Sequence, residues 1–316
     1  MSMENLPIIV ITGPTASGKT DLGAALGVDL GGVVISADSM QIYRGMDIGT
    51  AKVTPAETRG VPHHMIDVAD PRESWSVARW ADMAARVTED ILARGKRPIV
   101  VGGTGQYVDA LLAGTDFAAA PGDGKLRAAL SAEYDALGGD AFRRKLAAVD
   151  PLRAEKLAPA DKKRLVRAME VYLLTGETIT QHDERTAAAP RRWPSLRFAL
   201  AFRDREILYE RIRVRVDAMA EAGLFGEVEA LLSAGVPADG TAMQAIGYKE
   251  AAAALRGECT REEALDAIKL ASCRYAKRQL TWLRRDADLR WLYREDYPDT
   301  DAALAEISRV LRQEPT

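Results

Sequence analysis

The chain has 316 residues, of which 47% are hydrophobic, and a formal net charge of -3 at pH 7. This length suits about two domains with cores of ordinary size, and the slightly acidic balance excludes binding of nucleic acid through bulk positive charge, though not through a local basic surface. No run reaches the roughly 18 apolar residues of a membrane span, no leader precedes the first predicted strand, and two cysteines without a nearby histidine predict neither a disulfide framework nor a zinc site. We therefore expect a cytoplasmic protein that does not enter a membrane.

The first predicted elements are a strand over residues 7–12, a glycine-rich loop and a helix. The loop has the spacing G-x-x-x-x-G-K-[ST], in which backbone N–H groups and a helix N-terminus point at phosphate groups. Lys19 is expected to neutralise the outer phosphates, and Thr20 to offer its hydroxyl to Mg²⁺. The residues predicted to hold a diphosphate or triphosphate are Gly13, Pro14, Thr15, Ala16, Ser17, Gly18, Lys19 and Thr20.

The next predicted strand covers residues 33–41 and ends in an acid. Its apolar start is typical of a buried parallel strand, and its last residues include Asp38, Ser39 and Gln41. The carboxyl ends of parallel strands line the ligand crevice, so these side chains are expected to face the phosphate-binding loop. A turn or helix cap is the alternative role for Asp38.

Residues 43–62 predict an irregular loop, residues 63–68 a short strand and residues 76–94 an amphipathic helix. The strand that follows starts at Pro98 and runs into Gly102-Gly103-Thr104-Gly105. A P-loop kinase or ATPase usually carries an acid at this point, so its absence favours a phosphate compound other than ATP. The small residues are expected to let the backbone approach a ligand closely, with Thr104 as the functional hydroxyl.

Helical periodicity without strands runs from about residue 125 to residue 176. We therefore predict an α/β fold: a P-loop NTPase-like parallel sheet flanked by helices, with an inserted all-helical domain. The predicted divisions are 1–117 for the first part of the catalytic core, 118–190 for the insertion and 191–316 for the second part of the core.

The last third returns to the sheet and carries two basic stretches, 191–215 and 269–294. Predicted strands at 196–202 and 289–293 alternate with helices at 205–223, 225–234, 260–284 and 300–312. Arg211 and Arg215 are four residues apart and share a helix face. On the helix at 260–284, the sequence places Ile268, Tyr275 and Trp282 on one face, and a basic group on another face: Arg274, Lys277, Arg278 and Arg285.

Several of these motifs together resemble the tRNA dimethylallyltransferases, also called tRNA isopentenyltransferases. The longest is the string Ser36-Ala37-Asp38-Ser39-Met40-Gln41-Ile42-Tyr43-Arg44-Gly45-Met46-Asp47-Ile48-Gly49-Thr50-Ala51-Lys52. The others are the P-loop, residues 101–105, Ile246-Gly247-Tyr248-Lys249 and Ala276-Lys277-Arg278-Gln279-Leu280-Thr281-Trp282-Leu283-Arg284. The resemblance implies transfer of a dimethylallyl group from dimethylallyl diphosphate to N6 of the adenine on the 3′ side of the anticodon, within the tRNA anticodon stem-loop.

The resemblance also implies catalytic roles. Asp38 is the general base for the adenine amine, and Thr104 contacts the adenine. Arg215, in preference to Arg211, joins Lys19 and Mg²⁺ in stabilising the departing diphosphate. Such a reaction needs water to be kept away from the allyl cation.

Further residues contact tRNA by the same resemblance. These are Asp38, Ser39, Met40, Gln41, Thr104, Arg127, Lys163, Arg164, Leu165, Val166, Arg167, Gln244, Ala245, Ile246, Gly247, Tyr248 and Lys249. Arg274, Lys277 and Arg278 of the basic helix face are expected to bind tRNA phosphates. The sequence departs from the family where Lys163 replaces a frequent glutamine and where Pro121-Gly122-Asp123-Gly124 replaces an Asp-Pro start.

Three other functions stay open at this point. A P-loop kinase would use the same loop but needs the missing acid. A non-catalytic RNA-binding protein would use the basic helices but needs no P-loop. An isopentenyltransferase acting on free AMP would use the same chemistry, and the basic C-terminal half argues for a polynucleotide instead. A monomer is expected.

Overall fold

The computed structural model describes residues 7–114, 122–188 and 190–313. Its strands are, in chain order, β1 Ile8–Thr12, β2 Val33–Ser36, β3 His63–His64, β4 Pro98–Gly102, β5 Ser195–Ala201 and β6 Arg290–Tyr293. The helices of this part of the chain are α1 Lys19–Leu30, α2 Val77–Ala93, α3 Gly105–Ala113, α4 Gly124–Leu137, α5 Gly139–Ala147, α6 Pro151–Lys156, α7 Lys162–Thr175, α8 Ile179–Ala188, α9 Arg205–Glu221, α10 Leu224–Ser233, α11 Tyr248–Leu255, α12 Arg261–Leu283 and α13 Thr300–Gln313.

The strands form one parallel sheet in the order β3-β2-β4-β1-β5-β6. Every residue of β1, β2 and β4 is buried, as expected for parallel strands covered by helices on both faces. The chain places β2 to β4 on one side of β1 and β5 and β6 on the other. Because the strand order reverses at β1, the crevice beyond its carboxyl end is the expected ligand site of such a sheet.

The predicted fold class is confirmed, while several element bounds are wrong. The strand predicted over 33–41 ends at Ser36, and the strand predicted over 63–68 has two residues. Helix α8 was not predicted because none of its side chains is buried, so it lacks an apolar stripe. Helix α11, which has only eight residues, was not predicted; before its first residue the N–H of Gly247 donates to Glu250 (2.8 Å).

Contacts divide the chain into two compact units, Met1–Leu112 with Trp193–Thr316 and Ala113–Arg192. The boundary predicted between residues 117 and 118 and the predicted departure at Pro121 lie outside the described residues. The boundary predicted at 190 differs from this division by two residues. None of the helices in the described ranges is long and apolar enough to cross a membrane.

The second unit is helical and has its own core. Leu165 and Val166 of α7 are 0% and 4% exposed and pack with Phe142 and Leu146 of α5. Because both side chains lie inside this core, their proposed contact with tRNA would have to be made by the backbone, and it stays a prediction. Lys163 and Arg164 are exposed on the same helix, so a tRNA contact by them stays a prediction.

A buried carboxylate organises the two other basic residues predicted in this unit. Glu170 is 0% exposed and accepts hydrogen bonds from Arg127 (2.8 Å) and Arg167 (2.9 Å). Burial opposes ionisation, but these hydrogen bonds outweigh it and lower the pKa of Glu170. The Arg127–Glu170 pair therefore joins α4 to α7, whereas Arg167 pairs with Glu170 within α7.

Candidate active site

The P-loop joins β1 to α1 at the point where the strand order reverses. Gly13 has φ 150°, and a Cβ atom there would collide with the carbonyl oxygen of Leu200 on the neighbouring strand β5. The loop then rises to the N-terminus of α1, which has Gly18 as its N-cap. A side chain at position 13 would push the loop off the sheet, so the glycine is required by packing.

Only part of the loop offers N–H groups to a ligand. The N–H of Thr15 donates to Oε1 of Gln279 (2.9 Å), and that of Ser17 donates to the carbonyl of Pro14 (3.3 Å). Among the described residues, no hydrogen bond engages the N–H groups of Gly18, Lys19 or Thr20. The anion site therefore lies at the N-terminus of α1, where the helix dipole is positive, and the prediction that the whole loop points its N–H groups at phosphate is wrong for Thr15.

Two cations lie beside this helix terminus. The Lys19 ammonium donates to the carbonyl of Pro14 (3.2 Å), and the Arg215 guanidinium donates to the hydroxyl of Thr15 (3.4 Å). Burial, followed by the charge of Arg215, lowers the pKa of Lys19 to about 8, although Asp38 acts in the opposite direction. Burial also lowers the pKa of Arg215. Arg211 donates instead to the carbonyl of Ala16 (3.0 Å) and supports the loop from outside.

The lowered pKa of Lys19 predicts how the binding of an organic diphosphate depends on pH. A bound diphosphate raises the pKa of Lys19, so binding takes up a proton once the pH exceeds the free-enzyme value of about 8. Below that value the lysine is already charged and contributes no pH dependence. The dissociation constant of the diphosphate should therefore rise by up to about tenfold per pH unit above this value.

Titration calorimetry between pH 7 and 9.5, in buffers with different ionisation enthalpies, measures both the affinity and the proton uptake. Lys19→Met is the matched control, since it keeps the length of the side chain and removes the titrating group. A slope of the same size in the variant would assign the titration to another group.

Asp38 follows β2 and serves two purposes in the structure. Its Oδ1 accepts hydrogen bonds from the N–H groups of Met40 (2.9 Å) and Gln41 (3.3 Å), which makes the turn that was the alternative prediction for this residue. Both hydrogen bonds to the carboxylate among the described residues are made by Oδ1. The side chain also lines two cavities. Asp38 therefore forms the turn and faces the crevice at the same time.

The two cavities meet at the carboxyl edge of the sheet. The smaller one, of about 70 Å³, is lined by polar groups that include Lys19, Thr20 and Gln41. The larger one, of about 360 Å³, has an apolar wall that includes Ile212, Val216, Met219 and Ile268. Residues that line both are Thr15, Asp38, Thr50, Arg215 and Tyr275. A broader groove, with a volume of about 1120 Å³, borders Lys19 and Arg215.

The glycines at the end of β4 make room for neighbouring protein groups, while a close approach to a ligand stays a prediction, with Gly102 lining the smaller cavity. A Cβ atom at Gly102 would collide with the carbonyl of Ala37, one at Gly103 with the amide of Gln279, and one at Gly105 with the ring of Trp282. The end of β4 is therefore packed closely against the end of β2 and against helix α12.

Thr104 lies beside the cavities without being part of their described lining. Its Oγ1 accepts a hydrogen bond from the N–H of Ser39 (3.1 Å), so it ties the end of β4 to the segment after β2.

Burial and the charge of Asp38 raise the pKa of Tyr275 to about 12, although hydrogen bonds with Thr104 and Gln279 act against them. The Tyr275 phenol therefore stays protonated at neutral pH and can donate a hydrogen bond into the site.

The irregular loop over residues 43–62 is held by a partly buried carboxylate on α10. Glu227 accepts hydrogen bonds from the N–H groups of Asp47, Ile48 and Gly49, at 2.8, 2.8 and 3.1 Å. The hydroxyl of Tyr248 also donates to Glu227 (2.5 Å). Tyr248 is 0% exposed, so its side chain positions the loop that lines the cavities at Gly49 and Thr50. A tRNA contact of the stretch that contains Tyr248 stays a prediction.

Other predicted tRNA-binding residues lie at the surface of the same unit. Gln244 and Lys249 are exposed and line the larger cavity, together with the intervening Ala245, Ile246 and Gly247. The basic group of α12 is exposed as well: Arg274, Lys277, Arg278 and Arg285. Tyr275 and Ile268 line the larger cavity, so the helix face that sequence alone assigned to aromatic and aliphatic packing partly faces the site.

The donor set fits a Mg²⁺ ion that is shared with a ligand. Thr20 and Asp38 both line the smaller cavity, whereas no group of three or more His, Cys, Asp or Glu in the described ranges is placed to hold a metal on its own. Mg²⁺ usually keeps several waters and binds through one or two protein groups plus phosphate oxygens. The site matches that pattern.

Comparisons with known proteins extend over nearly the whole chain. A family model described as IPP transferase matches residues 41–286, and one described as isopentenyl transferase matches residues 6–70. A tRNA dimethylallyltransferase of Desulforudis audaxviator is 45% identical over 308 residues, covering 98% of this chain and 98% of its own. One of Geobacter metallireducens is 44% identical and covers 93% of this chain and 94% of its own.

Two solved structures are similar to this chain over nearly its whole length. The crystal structure of the full-length tRNA isopentenylpyrophosphate transferase from Bacillus halodurans has a TM-score of 0.73 and 41% identity, covering 98% of this chain and 96% of that one. The structure of a eukaryotic dimethylallyltransferase acting on tRNA has a TM-score of 0.82 and 27% identity, covering 98% of this chain and 81% of that one.

Proposed function

The chain belongs to the tRNA dimethylallyltransferase family, and from this we propose that it transfers a dimethylallyl group from dimethylallyl diphosphate to N6 of the adenine on the 3′ side of the anticodon. The new bond joins the amine nitrogen to the allylic carbon, the bond from that carbon to the diphosphate oxygen breaks, and the amine proton passes to a base. Relatives named as tRNA-modifying enzymes support this reaction over a kinase or an enzyme acting on AMP.

The observation that carries the proposal is the pair of cavities that share Asp38, Arg215 and Tyr275. The phosphate-binding cations and the candidate base therefore border the same space. A leaving group that gains negative charge and an amine that loses a proton need these two kinds of group on opposite sides of the reacting carbon.

We assign the donor diphosphate to the N-terminus of α1, with Lys19 and Arg215 beside it. The Thr20 hydroxyl would hold Mg²⁺ there together with phosphate oxygens, and the ion when bound would neutralise part of the charge on the leaving group. The apolar wall of the larger cavity suits the prenyl group, because it keeps water from the allyl cation.

We assign the acceptor side to Asp38, Thr104 and the surface around the larger cavity. Asp38 accepts the proton from the adenine amine as the new bond forms, and Thr104 positions the adenine. The segment from Gln244 to Lys249 and the exposed basic residues of α12 are placed to contact the stem-loop, and Lys163, Arg164 and Arg127 are proposed as contacts of the helical unit. The proposal includes a cytoplasmic location and a monomeric state.

One assay tests the reaction. The protein is incubated with radiolabelled dimethylallyl diphosphate and Mg²⁺, and with either an anticodon stem-loop, the same stem-loop lacking the adenine, or AMP. Label in the first product alone supports the proposal. Label in AMP at a comparable rate would assign the chain to free nucleotides, and label in none would contradict the transfer.

The basic face of α12 predicts a salt dependence for tRNA binding. Arg274 and Arg278 are exposed on this face, and each phosphate contact contributes about 0.7 to 0.9 to the slope of log affinity against log salt. Arg274→Ala with Arg278→Ala should therefore lower the slope by about 1.4 to 1.8 if each contacts one phosphate. Filter binding between 50 and 300 mM salt measures it.

The matched control removes two arginines from a different helix. Arg86 of α2 and Arg94, which immediately follows that helix, are exposed and pair with acids one turn away. Replacing both with alanine changes the net charge equally, so an equal drop in slope would point to overall charge. An unchanged slope after the changes on α12 would return that face to a solvated surface.

A further inference from the structure

Gln279 joins two segments that the proposed reaction uses separately. The residue is 7% exposed and lies near the C-terminal end of α12. Its Oε1 accepts a hydrogen bond from the N–H of Thr15 (2.9 Å), and its Nε2 donates to the carbonyl of Gly103 (2.9 Å). Thr15 belongs to the P-loop, and Gly103 immediately precedes Thr104.

The Gln279 amide connects two loops just beyond the point where the pairing of two central strands ends. The pairing of β1 with β4 runs as far as Thr12 and Gly102, and beyond these residues the two chains become the P-loop and the start of α3. Gln279 lies between the two loops and hydrogen-bonds to each. It therefore links the P-loop to the start of α3 just beyond the last paired residues of β1 and β4. The absence of a side chain at Gly103 allows this approach, since a Cβ atom there would collide with the Gln279 amide.

Neighbouring residues of α12 fix the helix in place. The indole N–H of Trp282 donates to Asp109 on α3 (2.9 Å), and a Cβ atom at Gly105 would collide with the same ring. Tyr275, one turn before Gln279, lines both cavities. The helix therefore lies directly against the segment that carries Thr104, and Gln279 cannot move without moving one of its two partners.

Building on the proposed function, we propose that Gln279 is a positioning residue that sets the distance between the donor diphosphate on the P-loop and the acceptor adenine at Thr104. An amide suits this task because one end accepts and the other donates. Group transfer depends steeply on alignment, and a displacement of about 1 Å costs about 10²-fold in rate. The role acts through Thr15 and Gly103, and Gln279 itself touches neither reacting atom in this proposal.

Two variants separate positioning from packing. Gln279→Met keeps the volume and removes the two backbone hydrogen bonds, together with the hydrogen bond to the Tyr275 phenol. Gln279→Glu keeps the acceptor, and when protonated it also has an O–H that can donate to the Gly103 carbonyl. Thr281→Ala is the control on the same helix, since Thr281 is exposed and its hydroxyl donates to the carbonyl of Lys277.

The expected result is a split between rate and binding. Gln279→Met should lower the single-turnover rate by about 10²-fold, with the dissociation constants of donor and stem-loop within about threefold of the wild type. The ratio of the Gln279→Glu rate to the wild-type rate should rise as the pH falls, because only the protonated acid restores the second hydrogen bond. The charged and titratable groups that line the smaller cavity with position 279 are Lys19, Asp38, His63, Arg215 and Tyr275. They are present in both enzymes, so each rate is compared with the wild-type rate at the same pH.

Other outcomes overturn the inference. A near-normal rate for Gln279→Met shows that the spacing is set elsewhere. A fall in rate that is matched by losses of both affinities and of the melting temperature, with no pH-dependent recovery in Gln279→Glu, assigns the residue to packing. Wild-type transfer to the stem-loop is measured in the same series. Its failure would overturn the proposed function and this inference together, whereas the first two results overturn the inference alone.

Discussion

Replacing Asp38 by asparagine is expected to slow single-turnover transfer by about 10²- to 10⁴-fold, the usual contribution of a general base. The amine of adenine becomes acidic only as it bonds to the allyl carbon, so a carboxylate beside it is needed during that step. The asparagine amide cannot accept this proton. It can keep the turn, because the two hydrogen bonds that define the turn are accepted by Oδ1, which an amide retains.

The same variant separates three roles of the residue. Donor and stem-loop affinities measured by equilibrium binding should stay near the wild-type values if Asp38 is the base. A joint loss of donor and Mg²⁺ affinity would make it a metal-site residue, which its place in the smaller cavity also permits. A normal rate would leave it as a turn residue only. Asp38→Ala is the comparison, since it loses the turn as well and should cost about 1 kcal/mol in stability.

The parts of this fold that sequence predicts are those carried by local patterns. The P-loop spacing and the apolar runs of β1, β2 and β4 need no knowledge of distant residues, because a strand buried on both faces is apolar throughout. The crevice position of Asp38 follows from the shared direction of parallel strands. The basic face of α12 was likewise visible as spacing along one helix.

The parts that sequence missed depend on pairs of residues far apart in the chain. Gln279 bonds to partners 264 and 176 positions away, and a glutamine on a helix is ordinarily expected at the surface. The one local indication that Gln279 is buried is that Ala276, one turn before it, and Leu280, the next residue, are both apolar and buried. Tyr248 was assigned to tRNA by resemblance of its segment, but burial and the hydrogen bond to Glu227 raise its pKa and keep its hydroxyl inside the protein.

Lys19→Ala is expected to lower the single-turnover rate at saturating donor by about 10²-fold, which corresponds to about 3 kcal/mol of transition-state stabilisation. Among the described hydrogen bonds, the lysine side chain makes only the one to the carbonyl of Pro14, so its removal costs the loop a single hydrogen bond. Charge grows on the diphosphate as the allylic bond breaks, and the ammonium therefore stabilises the transition state more than the bound donor. Burial makes the interaction stronger than a surface pair.

The matched control for Lys19→Ala is Lys96→Ala, which removes the same charge at an exposed position before β4. The melting temperatures of both variants should equal that of the wild type, and only the first should lose rate. Dimethylallyl diphosphate should still bind Lys19→Ala, since Arg215 and the N-terminus of α1 remain. Normal turnover of Lys19→Ala at saturating donor would place the departing diphosphate elsewhere. The P-loop would then be only a glycine-rich turn with no role in binding phosphate.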